Sequence, residues 1–245
     1  MKKNLFILMT IAIAIVMQSC NVPMSTDAEV SQDVAHCNVC LVIDGTDRLS
    51  KQNGVPDVSV TDLEDIARTF LTCGKGFLYV SYVDNDCDNN KVVVFSSDLQ
   101  KPSSLEKKMN YQSTKEYDSI ANDFQKRKKI YEANIENYLL KFTSDCSSLL
   151  ELAYSDLVAK QKKGSDVTGA INQANRLLQS SQNNGERSYI VLISDGCDNV
   201  GKELRSIAPM TEILMVNTNV SKHNYQDLIS REFVTLNQVS NYIFK

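Results

Sequence analysis

The sequence predicts an α/β domain: a mostly parallel central sheet with one antiparallel strand and helices on both faces. Three observations point there. The apolar run Cys40-Leu41-Val42-Ile43 stops at the polar turn Asp44-Gly45-Thr46. A second run, Tyr189-Ile190-Val191-Leu192-Ile193, stops in the same way at Ser194-Asp195-Gly196. Between and beyond them, stretches with helical spacing of apolar residues alternate with β-rich runs. In open sheets of this kind ligands sit beyond the carboxyl ends of the strands, so Asp44 and Thr46 are the first functional candidates.

The chain has 245 residues, with 26 Lys+Arg against 30 Asp+Glu and a formal net charge of -4. No long basic run could track a phosphate backbone, so nucleic acid is a poor partner. The absence of Trp also argues against a platform for stacking bases or sugars. Once the first residues are assigned to targeting, the remaining length suits one α/β domain with a full core.

Residues 1–20 read as a secretion signal. Lys2 and Lys3 precede an apolar core, Leu5 to Met17, which at 13 residues is short for a membrane span. Ser19 directly before Cys20 resembles a bacterial lipobox. The resemblance implies cleavage before Cys20, lipidation of that residue and attachment to the membrane through the lipid, where two or three acyl chains hold firmly. Asn21 is not the Asp that retains such lipoproteins in the inner membrane, so an outer-membrane location is expected where a cell has two membranes. Residues 21–36 are polar and should form a flexible tether, leaving 37–245 as the domain.

Within the domain, strand one should run from about Val39 to Ile43. Thr61 and Glu64 have capping-box spacing ahead of Leu63, Ile66, Ala67, Phe70 and Leu71, which recur at helical intervals up to Gly74. Phe77 to Val83 and Lys91 to Ser96 should be antiparallel neighbours around a turn-rich loop. That loop has Asp84, Asp86 and Asp88 at the alternation of a calcium loop. It lacks the Gly expected at the sixth place and carries Phe95 where a bidentate Glu belongs, so a solvated hairpin tip is the better reading.

Residues 101–163 read as a helical insertion. Tyr117, Ile120, Ala121, Phe124, Tyr131, Ile135, Tyr138, Leu139 and Phe142 share one helical face. Thr143-Ser144-Asp145-Cys146-Ser147 should interrupt the helix, and Ser148 with Glu151 should cap a second one. Because Ser165 follows this insertion directly, the insertion should rise near the same sheet edge and shape partner choice. Gly164 to Gly169 breaks the pattern, and Ala170, Ile171, Ala174, Leu177 and Leu178 open another helix. Strands are expected at Ser188 to Ser194, Thr211 to Asn217 and Glu232 to Leu236. A loop with a short helix is expected over 198–207, a helical turn at Tyr225 to Ile229, and a terminal helix at Val239 to Phe244.

Six cysteines follow Cys20: Cys37, Cys40, Cys73, Cys87, Cys146 and Cys197. In an exported protein they allow up to three disulfides, whose pairing the sequence leaves open. Cys37-x-x-Cys40 beside His36 has no second pair to complete a zinc set, so structural cysteines are the better reading.

Three turns remain: Asp44-Gly45-Thr46, Gly164-Ser165-Asp166 and Ser194-Asp195-Gly196. In order and spacing they resemble the von Willebrand factor A domain, whose metal-ion-dependent adhesion site uses three such loops. The family pattern is Asp-x-Ser-x-Ser after the first strand, a Thr from a later Gly-Thr loop and an Asp after the fourth strand. Asp44 matches the first Asp, Thr46 the first hydroxyl, Ser165 the loop Thr and Asp195 the final Asp. The resemblance covers roughly Cys40 to Leu236. It implies a hard cation, Mg2+ or Mn2+, held by oxygen ligands, with one position open to an acidic side chain on a partner protein. Arg48 stands where the pattern has its second Ser. A guanidinium there either competes with the cation for Asp44 and Asp195 or turns away, and Asp47 can supply a replacement ligand. Losing the metal would leave a structural scaffold of the same fold.

An enzyme is not indicated. Val42-Ile43-Asp44-Gly45-Thr46 is similar to the Asp-x-Asp-Gly-Thr turn of haloacid-dehalogenase-like phosphatases, but Val42 occupies the nucleophile's place. Gly-x-Ser-x-Gly, His-Glu-x-x-His and phosphate-loop motifs are absent. The expectation is therefore a lipid-anchored envelope protein that binds or assembles with other proteins.

Overall fold

A strand buried on both faces has no polar alternation to show, and Cys37–Asp44 (β1) is buried at all eight positions in the computed structural model. The structure describes residues 36–46, 54–73, 75–96, 102–109, 112–155, 164–181, 186–217, 225 and 227–244. These fall within one compact unit, Ala35–Lys245. The signal, the tether up to residue 35, Cys20, Asp47, Arg48 and Gly74 lie outside the described residues, while His36, the last position assigned to the tether, already bridges Lys75 in parallel.

Five further strands complete the sheet: β2 (Phe77–Val83), β3 (Val93–Ser96), β4 (Arg187–Ile193), β5 (Thr211–Val216) and β6 (Ile229–Phe233). Their order is β3-β2-β1-β4-β5-β6. Every pairing is parallel except β2 with β3, which are antiparallel as expected. Strand order reverses at the β1–β4 junction, where Ile43 pairs with Ile193. That register brings the turn after β1 alongside the turn after β4, at the crevice such sheets open to ligands.

The described helices are α1 (Val60–Cys73), α2 (Thr114–Ala153), α3 (Val167–Ser181) and α4 (Leu236–Ile243). Alternation along β1 divides them between two cores. Val39, Leu41 and Ile43 face a layer from α1, α2 and α4, with Leu63, Phe70, Phe142, Leu149 and Val239 among its side chains. Cys40 and Val42 face α3 through Ala170, Ile171, Ala174 and Leu178. Removing any of the large side chains, such as Phe70 or Leu149, would cost about 3 kcal/mol or more.

Several expectations need correction. The first helix is capped by Ser59 and Asp62: Ser59 Oγ accepts from Asp62 N at 3.2 Å and Asp62 Oδ2 accepts from Ser59 N at 2.8 Å. Thr61 and Glu64 do not form that box, and Glu64 instead pairs with Arg68. Among the described residues the insertion holds one uninterrupted helix of 40 residues, begun by a Ser113–Glu116 capping box. Thr143 Oγ1 donates to Leu140 O and Ser148 Oγ to Ser144 O, so these hydroxyls turn back on their own helix and leave its ladder intact. Cys146, inside the expected break, is buried.

Residues 198–207 contain no helix. The side chains of Asn172 and Asn175 on α3 bond the backbone at Glu203, Arg205, Ser206 and Ala208, holding the segment extended. Strand β6 lies three residues earlier than expected, and α4 begins at Leu236 behind a Thr235–Gln238 capping box. Cys40, Cys87 and Cys146 are buried free thiols. Cys37 and Cys40 face opposite cores, so they cannot converge on one metal. Burial pushes the Cys40, Cys87 and Cys146 thiols up to about 12, which suits apolar filling.

Candidate functional site

Two loops far apart in sequence meet beyond the carboxyl end of β1. Asp44 is 9% exposed. Its Oδ1 accepts from the Thr46 amide at 3.0 Å and the Thr46 hydroxyl at 2.6 Å, a tight local turn. The Thr46 hydroxyl also meets the hydroxyl of Ser165, 119 positions along the chain. Ser165 is buried and begins the approach to α3. Three of the four predicted ligands, Asp44, Thr46 and Ser165, are therefore brought together.

Asp195 stands at the same edge, and its charge acts on Asp44. Its own Oδ1 is engaged by the Cys197 amide at 2.9 Å.

Ser194 was not among the predicted ligands. Its hydroxyl donates to Asp44 Oδ2 at 2.6 Å and accepts from the Gly196 amide at 2.9 Å. Asn217, after β5, donates to the Ser194 carbonyl at 3.0 Å and supports that turn from behind. The only hint of Ser194 in the sequence was its place one residue before Asp195.

Burial pushes the Asp44 carboxyl up from the ordinary carboxylate range. Its bonds from Ser194 and Thr46 oppose the shift without cancelling it, and the charge of Asp195 adds to it. A buried carboxylate so placed gains from any nearby positive charge.

The turn has no spare room. A side chain at Gly45 would run into the Ala153 carbonyl at the end of α2, with Tyr154 beside it. The Tyr154 hydroxyl accepts from the Val58 amide at 2.8 Å, tying the same helix end to the approach of α1. The insertion thus reaches the edge at which it was expected.

The acidic hairpin loop is also at this edge, and the cation among its carboxylates is an ammonium. Lys202 Nζ lies 3.0 Å from Asp86 Oδ1, 3.2 Å from Asp88 Oδ2 and 2.7 Å from Asp166 Oδ2.

One carboxylate with three hydroxyls, and a second carboxylate nearby, is an all-oxygen donor set that suits a small hard cation. Among the described residues no three His, Cys, Asp or Glu side chains gather as a metal cage, so a cation here would rest on hydroxyls as much as on carboxylates. No described helix is long and apolar enough to cross a membrane. No family model, curated protein or solved structure matches this chain, and the reading of the site rests on its own geometry.

Proposed function

We propose that the chain is a lipid-anchored envelope protein that binds another protein through a divalent cation at this edge, in a domain of von Willebrand factor A type. Asp44, Thr46 and Ser165 would hold Mg2+ or Mn2+, with Asp195 in support. When bound, the cation offers a position to an acidic side chain of the partner. The residues of the edge orient it and perform no covalent chemistry. Attachment through Cys20, with an outer-membrane location, completes the reading.

What supports it is the meeting of Asp44, Thr46 and Ser165 at the reversal of strand order, where the Thr46 hydroxyl bonds both the buried Asp44 carboxylate and the Ser165 hydroxyl of a distant loop. The test is calorimetric titration of the full-length protein with Mn2+. Saturable heat in the wild type that is lost in Asp44→Ala and weakened in Thr46→Val is expected, and no heat in the wild type would overturn the metal. Loss of membrane fractionation in Cys20→Ser checks the anchor.

A second reading has an observation of its own. Both oxygens of Asp44 already accept from hydroxyls, Thr46 on one and Ser194 on the other, as a metal-free structural scaffold would need. The same titration separates the two.

A further inference from the structure

The loop that carries Ser165 is held from two sides, and one side chain joins the holders. Ser165 is followed by Asp166, which is fully buried. The Asp166 carboxylate accepts from the Cys87 amide at 3.1 Å and the Gly169 amide at 2.9 Å, and its Oδ2 lies 2.7 Å from Lys202 Nζ. The backbone is pinned in parallel: Asp166 N donates to Asp84 O at 2.9 Å and Asn199 N donates to Ser165 O at 3.1 Å. Ser165 therefore stands between the loop after β2 and the loop after β4. Lys202, on the second loop, reaches Asp86 and Asp88 on the first as well as Asp166.

We infer that Lys202 is a positioning residue for the cation site, an inference that rests on the metal reading above. Its ammonium neutralises Asp166 in place and so fixes the backbone that presents the Ser165 hydroxyl to Thr46 and Asp44. Without that counter-charge a fully buried carboxylate is left uncompensated, which loosens its hold on the Cys87 and Gly169 amides and lets the residue next to Ser165 move. Mg2+ tolerates little such movement, because its ligands sit at about 2.0–2.1 Å in near-ideal octahedral geometry. The three arms of the cluster are not equivalent. The Asp86 and Asp88 side chains are 62% and 46% exposed and Asp166 is 0% exposed, so solvent screens the first two and the pair with Asp166 carries the positioning.

The experiment compares full-length wild type, Lys202→Met, Lys202→Arg and the double variant Asp86→Asn/Asp88→Asn, with Mn2+ binding followed by electron paramagnetic resonance. Lys202→Met should weaken Mn2+ by about tenfold or more, the range typical of residues that orient metal ligands from behind. Lys202→Arg should recover most of the affinity, and the double acid variant should stay close to wild type. Lys202→Met binding Mn2+ like wild type, or falling no further than the acid variant, would overturn the inference. If Lys202→Met does not fold, Lys202→Gln keeps a donor toward Asp166 without the charge, and wild-type Mn2+ affinity in that variant would equally overturn the inference.

Hydrogen exchange keeps the two ideas separable. A wild type without any Mn2+ signal would sink the metal reading alone. The Asp166 and Asn199 amides would still report on Lys202, exchanging faster in Lys202→Met if it seats Ser165. Unchanged protection there would overturn the positioning role.

Discussion

Asp44 and Asp198 lie at the same carboxyl edge of the sheet and both accept hydroxyl hydrogen bonds, yet their acidities move in opposite directions. Asp198 is half-buried and takes five donors: the Thr168 amide at 2.7 Å, the Thr168 hydroxyl, the Tyr225 hydroxyl at 2.7 Å, and the Val200 and Gly201 amides at 2.9 and 3.1 Å. Burial alone would raise its carboxyl, but these bonds outweigh burial and hold it down at about 2. Asp44 is more deeply buried, takes three donors, and is raised. The number of donors set against the loss of solvent decides the sign. Asp198 is a finished structural joint linking α3, the loop after β4 and Tyr225, whereas Asp44 is a carboxylate whose charge the protein leaves short of compensation.

The sharpest way to break this contrast is to remove the charge from each. Asp198→Asn should lower stability by about 2–3 kcal/mol, because several buried donors lose their acceptor together. For a domain of this size that is about 2–4 °C of Tm per kcal/mol. Asp44→Asn should be close to neutral in the presence of EDTA, since it removes a charge that burial disfavours. With saturating Mn2+ the order should invert for Asp44 alone: wild type gains stability from the cation and Asp44→Asn does not. Thermal unfolding of the three proteins, with and without Mn2+, reads all of this. Equal losses at the two positions without metal would remove the distinction.

The pH dependence should separate the pair next. The Asp198 carboxyl is depressed, so its contribution is present above the unfolded value near 3.8 and is lost as pH falls toward 2. The Asp44 carboxyl is raised, so its contribution is full below 3.8 and is lost as pH rises through its folded value. In metal-free protein the gap between wild type and Asp198→Asn should therefore close on acidification below about pH 4. The gap between wild type and Asp44→Asn should instead change on the alkaline side of 3.8. Urea midpoints measured from pH 3 to 7 check both, and parallel curves would contradict the signs.

The contrast also shows what the sequence could disclose. Strands buried on both faces were readable because their runs are apolar but for a single small residue such as Ser81 in β2, and β2 has the predicted ends. The start of β1 was missed because Asn38 is polar and interrupts the apolar run, yet it is buried with its side chain bonded to the Phe77 amide and Glu186. β6 was misplaced because Ser230, Arg231 and Glu232 are exposed and carry no alternation. The break expected in α2 failed because Ser and Thr hydroxyls cap a helix or bond back to it, and the sequence does not say which. Asp44, Thr46 and Ser165 followed a pattern of residue types. Ser194 and Lys202 followed no pattern, because their roles depend on which strands adjoin. Only the Ile43–Ile193 pairing sets Ser194 beside Asp44.

Ser194 gives the smallest effect and the finest test. In metal-free protein Ser194→Ala removes one of three donors from Asp44, which should cost about 1 kcal/mol and push that carboxyl further up. Its effect on Mn2+ then depends on what the hydroxyl does. As an orienting group it turns Asp44 so that Oδ1 faces Thr46 and Ser165, and Ser194→Ala should weaken the cation by a fewfold. As the internal substitute of a metal-free scaffold it occupies the oxygen a cation would need, and the variant should then acquire Mn2+ binding that the wild type lacks. Asp198 offers the control: Tyr225→Phe likewise removes one hydroxyl, from a carboxylate that retains four other donors. It should cost about the same stability and leave Mn2+ affinity unchanged. A shift in Mn2+ affinity confined to Ser194→Ala would tie the cation to Asp44, and equal shifts in both variants would show that the whole edge had merely loosened.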